Sequence, residues 1–167
     1  MSERVCNILM LMSLALSALW VPAAFSGCGD SDADAPPQVK IGSTVWDVDL
    51  ALNDEQRLRG LAGRAYIDKS VGMLFMYPNA AQRAYCMRGC LMSIDIAFID
   101  SDLRIVKIYT MPMESDRVGR VSYTSIKPAQ YVLEVSAGGF ARNGVSEGDK
   151  VTFLGNIPDA TKAAPGP

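Results

Sequence analysis

A series of short apolar segments, separated by turn-forming residues, constrains the fold of this chain most strongly. Residues 46–52 alternate large apolar side chains with small or acidic ones, the period-two pattern of a half-buried strand. Residues 73–77 form a continuous apolar run that ends at Pro78, as expected for a buried strand followed by a turn. The segments that predict strands are residues 46–52, 73–77, 82–87, 94–99, 104–111, 131–135 and 151–154.

Two short helices are predicted between these strands. Asn53 followed by Gln56 forms a capping-box pattern, and this helix should end at Gly63. A second short helix is predicted after Ser136 and should end at Gly144. Six or seven strands with two short helices indicate a β-rich α+β domain, built as a small curled sheet or a barrel-like structure.

The two ends of the chain differ in composition from this domain. Residues 1–27 are mostly apolar and end in small residues before Cys28, which resembles the first, lipid-modified residue of a mature bacterial lipoprotein. An ordinary signal peptide cleaved nearby and an uncleaved membrane anchor are the alternatives. The composition predicts a disordered tether at residues 28–38, the globular domain at residues 39–157 and a flexible tail at residues 158–167.

These features predict an exported protein of the cell envelope. The lipid on Cys28 would be its link to the membrane, and the domain would face the periplasm or the cell surface.

The charge and the lack of histidine exclude several classes of function. The chain has 16 Lys and Arg against 18 Asp and Glu, a net charge of −2, which argues against nucleic-acid binding by phosphate neutralisation. With no histidine, the chain cannot supply a Ser-His-Asp triad, a Cys-His pair or a histidine-ligated metal. No cofactor is predicted.

Five motifs follow one another along the domain. They are RLRGLAGR at residues 57–64, GMLF at 72–75, DIAFID at 95–100, YVLE at 131–134 followed by AG at 137–138, and Gly144 with GD at 148–149. Together these motifs resemble domain of unknown function 192, a family of bacterial and archaeal proteins. The resemblance implies a small β-rich domain that is often exported, and it implies no activity.

The same resemblance singles out Asp95 together with Arg57, Arg64 and Glu134. With Met87, these are the candidate ligand-binding residues. Strand alternation would turn Asp95 to solvent, whereas a buried Asp95 would be expected to pair with an arginine. We expect a non-enzymatic binding or assembly module with a small polar pocket, for a small ligand or for a charged group of an envelope protein. A hydrolase that uses Asp95 and Glu134 is an alternative.

Residues 86–90 depart from the family pattern. At these positions the family pattern is similar to Trp-Met-Lys-Asn-Thr, whereas this chain has cysteines at both ends of the segment. An oxidising compartment favours a disulfide between Cys86 and Cys90, and Gly89 permits the turn that this bridge needs. Alternatively, these two thiols with Met87 and Met92 offer soft ligands for Cu(I), or a redox-active pair. Free, unreactive thiols are the third alternative.

Overall fold

The computed structural model describes residues 35–164, so the predicted signal peptide, Cys28 and most of the predicted tether lie outside the described residues. The described part contains nine strands, two short α-helices and one 3₁₀ turn. Their bounds are β1 Gln38–Ile41, β2 Thr44–Ala51, α1 Asp54–Arg59, β3 Val71–Ala81, β4 Ala84–Tyr85, β5 Ile94–Ile99, β6 Ile105–Met111, β7 Tyr123–Thr124, β8 Ala129–Ser136, α2 Gly139–Arg142 and β9 Val151–Leu154, with the 3₁₀ turn at Ala160–Lys162.

Seven of the strands form one curled sheet in the order β6-β5-β8-β3-β2-β1-β9. The pair β2–β3 is parallel and the other pairs are antiparallel, while β4 and β7 form a separate two-stranded sheet. This half-barrel arrangement with two short helices confirms the predicted β-rich α+β class.

The centre of the sheet is buried on both faces. Successive side chains of a strand point to opposite faces, and a separate apolar cluster covers each face. On the front face, Phe75, Ile96 and Phe98 belong to one apolar cluster, called here the front cluster. On the rear face, Leu74 and Phe140 belong to a second cluster, the rear cluster. Every residue of β5 is therefore buried.

The capping box predicted at α1 is present. The Asn53 side chain accepts a hydrogen bond from the Gln56 backbone N–H at 2.9 Å, and the Gln56 side chain accepts one from the Asn53 N–H. The helix ends at Arg59, before the predicted stop at Gly63, because Gly60 adopts a left-handed φ of 46°.

The strand β3 continues through Pro78, where a turn was predicted. The β3–β8 pairing is irregular between Met76 and Ala81, so the missing N–H of Pro78 interrupts no regular ladder.

Both ends of the domain are more ordered than predicted. Gln38 already belongs to β1, and the carbonyl of Pro37 accepts a hydrogen bond from the Val48 N–H at 3.0 Å. At the other end, Ala160 and Ala163 pack in the rear cluster, where a flexible tail was expected. Small methyl groups fill that space without the entropic cost of ordering a long side chain. Within residues 35–164, no helix has the length and apolar character needed to cross a membrane.

Candidate functional site

A cavity of about 410 Å³ opens on the front face of the sheet, between α1 and the segment that leads from β3 to residue 90. Phe75, Tyr77 and Tyr85 form its aromatic walls, and Glu134 reaches it from β8. Its volume falls within the range of about 300–1,000 Å³ that is usual for small-molecule sites.

Glu134 is a buried carboxyl that has no partner in the described part of the chain. The register places it opposite Met73 on β3 and Ile96 on β5, so all three side chains project to the front face. Glu134 is 5% exposed, and within residues 35–164 no hydrogen bond or ion pair offsets the burial of its carboxyl. Burial raises the pKa of Glu134 to about 8. The group is therefore mostly protonated at neutral pH and able to donate a hydrogen bond.

Two tyrosines fix the cavity wall next to it. The hydroxyl oxygens of Tyr77 and Tyr85 are 2.8 Å apart, so one donates to the other. The Tyr85 ring packs edge-on against Phe75 and Phe98, with ring centroids 5.2 and 5.7 Å away. Burial raises the pKa of both tyrosines, so both remain neutral. These contacts hold the wall in one geometry.

Arg57 and Arg83 both lie against the ring of Tyr77, with guanidinium carbons 4.8 and 3.8 Å from its centroid. Arg57 is buried and held by three contacts: it donates to the carbonyls of Met76 and Ala164 and forms an ion pair with Asp54. Its role in the cavity wall is therefore structural as well as electrostatic.

Arg83 and Arg88 have no acidic partner within residues 35–164. The contacts of Arg83 are the carbonyl of Ala129 at 3.2 Å and the carbonyl and side-chain oxygens of Asn79 at 2.6 and 3.0 Å, all of them neutral. Arg88 is exposed at the mouth of the cavity. With Glu134 neutral, the cavity carries net positive charge.

The structure brings together only part of the set predicted from the sequence. Arg57 and Glu134 line the cavity. Met87 is fully buried in the front cluster and does not line the cavity, and Arg64 pairs with Asp49 at 2.8 Å on the surface.

Asp95 lies on the other face of the sheet. It pairs in register with Val135, one residue beyond Glu134, so the two carboxyls point in opposite directions. Asp95 is buried as well, but it accepts hydrogen bonds from the Thr110 hydroxyl at 2.7 Å and from the Phe140 N–H at 3.1 Å. These donors take the place of the expected arginine, and the structure does not assemble the carboxylate pair that a hydrolase would need.

Cys86 and Cys90 are free thiols, so the predicted disulfide is not formed in the structure. The predicted turn is present: the Cys90 N–H donates to the Met87 carbonyl at 3.2 Å, and Gly89 has a φ of 69°. The thiols have different surroundings, because Cys90 is 7% exposed within the front cluster whereas Cys86 packs against Gly119.

The environment of Cys90 also disfavours a metal or redox role. Burial, with the negative charges of Glu134 and Cys86 when ionised, raises the pKa of the Cys90 thiol to about 11. The thiolate is the form that binds metal and attacks disulfides, so Cys90 is poorly suited to either task. Across residues 35–164, no three His, Cys, Asp or Glu side chains gather where they could hold a metal ion. Met92 packs on the front cluster as an apolar side chain.

Sequence reasoning missed Tyr77, Arg83, Tyr85 and Arg88 as site residues. All four residues lie within or shortly before residues 86–90, the segment that departs from the family pattern. This clustering in the sequence was the available signal. Only the fold shows that this segment curls over Glu134, which is about fifty positions away along the chain.

The comparisons with known proteins concern the whole domain. The family model of domain of unknown function 192 (DUF192), described as "Uncharacterized ACR", matches residues 37–153. No protein with a curated description matches the chain.

Two solved structures are similar in fold. A crystal structure from Sinorhizobium meliloti 1021, described provisionally as a transcription regulator, has 29% identity and a TM-score of 0.63 over 70% of this chain and 92% of its own. A protein of unknown function from Novosphingobium aromaticivorans DSM 12444 has 25% identity and a TM-score of 0.62 over 70% of this chain and 83% of its own. Since the family model spans most of the chain, including every residue that lines the cavity, this protein belongs to the DUF192 family.

Proposed function

We propose that this protein is a non-enzymatic binding module whose cavity holds a small polar ligand. The observation that carries the proposal is Glu134, a buried carboxyl that has no partner within residues 35–164 and faces a cavity of about 410 Å³. Buried polar groups in folded proteins are almost always hydrogen-bonded, because an unmade bond costs about 1–3 kcal/mol. A ligand with a complementary polar group would bond to the carboxyl oxygens where they face the cavity.

The chemistry around the cavity favours binding over catalysis. A nucleophilic cysteine is activated by a neighbouring base or cation that lowers its pKa. Here burial, followed by the negative charge of Glu134 when it is ionised, raises the pKa of the Cys90 thiol to about 11, which is the opposite effect. The concave shape favours a small ligand over the other predicted occupant, a charged group on an envelope protein.

The cellular location belongs to the same proposal and is supported by the sequence of residues 1–28. The domain would be exported and anchored to the membrane of the cell envelope through a lipid on Cys28. Substitution Cys28→Ala is expected to release the protein from membranes and to abolish the incorporation of a labelled fatty acid. Membrane retention of an unlabelled variant would favour an uncleaved anchor.

The test of binding uses the full chain in mild detergent and four probes that share one aromatic ring: benzoate, phenyl phosphate, benzamide and benzylamine. Saturable binding of at least one probe is expected by ligand-observed NMR and by titration calorimetry. Ala84→Phe places a large side chain in the cavity wall and should abolish that binding. Ala80→Phe, at an exposed alanine outside the cavity, is the matched control. Binding that survives Ala84→Phe, or no binding of any probe, would contradict the proposed function.

A further inference from the structure

We infer that the cavity selects a small organic anion, whose carboxylate or phosphate group is held by Arg83 and Arg88 and whose body lies against the aromatic wall. This inference rests on the proposed binding function and names the class of ligand.

Arg83 carries the argument, since it is a half-buried cation whose hydrogen-bond acceptors within residues 35–164 are all neutral and whose charged neighbour at the Tyr77 ring, Arg57, is also a cation. Its Nε and one terminal nitrogen donate to oxygens of Ala129 and Asn79, and its other terminal nitrogen has no hydrogen-bond partner within residues 35–164. Removing a charge from water without a counter-charge is costly. A ligand anion would supply the missing charge and accept the remaining N–H groups.

Arg88 lies at the mouth of the same cavity on a braced turn. The Gly89 N–H donates to the Arg117 carbonyl at 3.0 Å, and the Gly89 carbonyl accepts from the Gly63 N–H at 3.0 Å. The backbone is therefore fixed, while the Arg88 side chain is exposed and unpaired within the described part of the chain. This side chain can move onto a bound anion without breaking an existing contact.

The remaining charges of the cavity argue against a cationic ligand. Of its two acids, Asp54 is already paired with Arg57, and burial keeps Glu134 protonated near neutral pH. The ring of Tyr77, which could bind a ligand cation, is already contacted by Arg57 and Arg83. A protonated Glu134 can donate a hydrogen bond to an oxygen of the anionic group or to an oxygen elsewhere in the ligand.

The experiment compares benzoate and phenyl phosphate with neutral benzamide and cationic benzylamine, on the full chain, at low and at high salt. At least one anion is expected to bind about tenfold more tightly than benzamide, with the preference falling as salt is added. Tighter binding of benzoate assigns a carboxylate ligand, and tighter binding of phenyl phosphate assigns a phosphate ester.

Arg88→Gln should weaken the binding of the favoured anion about tenfold and leave benzamide unchanged. Lys40→Gln, which removes an exposed cation on β1, is the matched control and should have no effect. Saturable binding of benzamide or benzylamine that equals or exceeds that of both anions would overturn this inference and leave the proposed function standing. Failure of all four probes would remove the proposed function itself.

Discussion

Glu134 and Asp95 show how the register of a sheet decides the chemistry of a single residue. The two carboxyls lie on neighbouring strands, and both are at least 95% buried. Asp95 faces the rear, where a hydroxyl and a helix N–H donate to it, whereas Glu134 faces the front, where none of the described residues donates to it. The free energy of ionising Glu134 is therefore dominated by desolvation.

Replacement of Glu134 by glutamine should stabilise the protein at neutral and alkaline pH. The pKa of Glu134 rises from an ordinary 4.5 to about 8 on folding, so folding favours the protonated form. The stabilising contribution of this group is therefore lost as pH rises from about 4.5 to about 8. Over that range the free energy of unfolding falls by up to about 1.4 kcal/mol per pH unit. The advantage of Glu134→Gln should grow over that range and level off above it.

Urea denaturation of both proteins between about pH 4 and pH 9 measures this difference. Glu55→Gln, at an exposed glutamate of α1, is the control and should show little pH-dependent change. A Glu134→Gln variant that is less stable than the parent protein at pH 8 would show that Glu134 is ionised and paired.

At the scale of elements, β3 and β8 approach each other closely on the rear face of the sheet, behind the cavity. A Cβ atom on Gly72 would lie 2.9 Å from the backbone carbonyl oxygen of Glu134 and 3.2 Å from Val135 Cγ1. Both distances are shorter than ordinary contacts, so only glycine fits between the strands here. In the GMLF motif, the glycine therefore permits the close spacing of β3 and β8, and the other residues supply apolar side chains.

We expect Gly72→Ala to destabilise the protein by about 2–3 kcal/mol, because the strands must separate to admit the methyl group. The comparison is Gly42→Ala, where nothing lies within 4 Å of the added Cβ but φ is 59°. That variant should lose only about 1 kcal/mol, through backbone strain alone. Chemical denaturation of the two variants measures both losses, and equal losses would contradict the steric explanation.

At the scale of the whole molecule, Arg57 connects parts of the chain that are far apart in sequence. From α1 it donates to the Met76 carbonyl on β3 at 2.9 Å and to the Ala164 carbonyl near the end of the described chain at 2.8 Å. The Ala164 N–H in turn donates to the Leu52 carbonyl at 2.9 Å. One guanidinium therefore joins the cavity wall, the sheet and the last described segment.

Arg57→Lys should weaken this connection, because one ammonium group cannot reproduce the two-sided geometry of a guanidinium. We expect a loss of about 2 kcal/mol in the free energy of unfolding and faster hydrogen exchange at the Ala164 amide. The control is Arg59→Lys, which alters only an exposed contact with Glu55. Unchanged exchange at Ala164 in Arg57→Lys would show that other contacts hold this segment.

Local patterns in the sequence were sufficient to predict the class of fold and several of its elements. The alternation in residues 46–52, the apolar run in residues 94–99 and the capping box at Asn53 depend on neighbours within a few positions, so they could be identified without a structure. The motifs identified the family for the same reason. Arg57 and Glu134 were found because they belong to those motifs.

The composition of the cavity depended on the tertiary structure, because it is set by strands that are distant in sequence. Strand alternation alone could not show that β8 lies between β3 and β5, in a register that turns Glu134 to the front and Asp95 to the rear. Nor could it show that both faces are covered, so that a carboxyl predicted to face solvent is buried. The packing of Cys90 beside Glu134 depends on the same register. The residue types were visible in the sequence, but their solvation and their partners were decided by the fold.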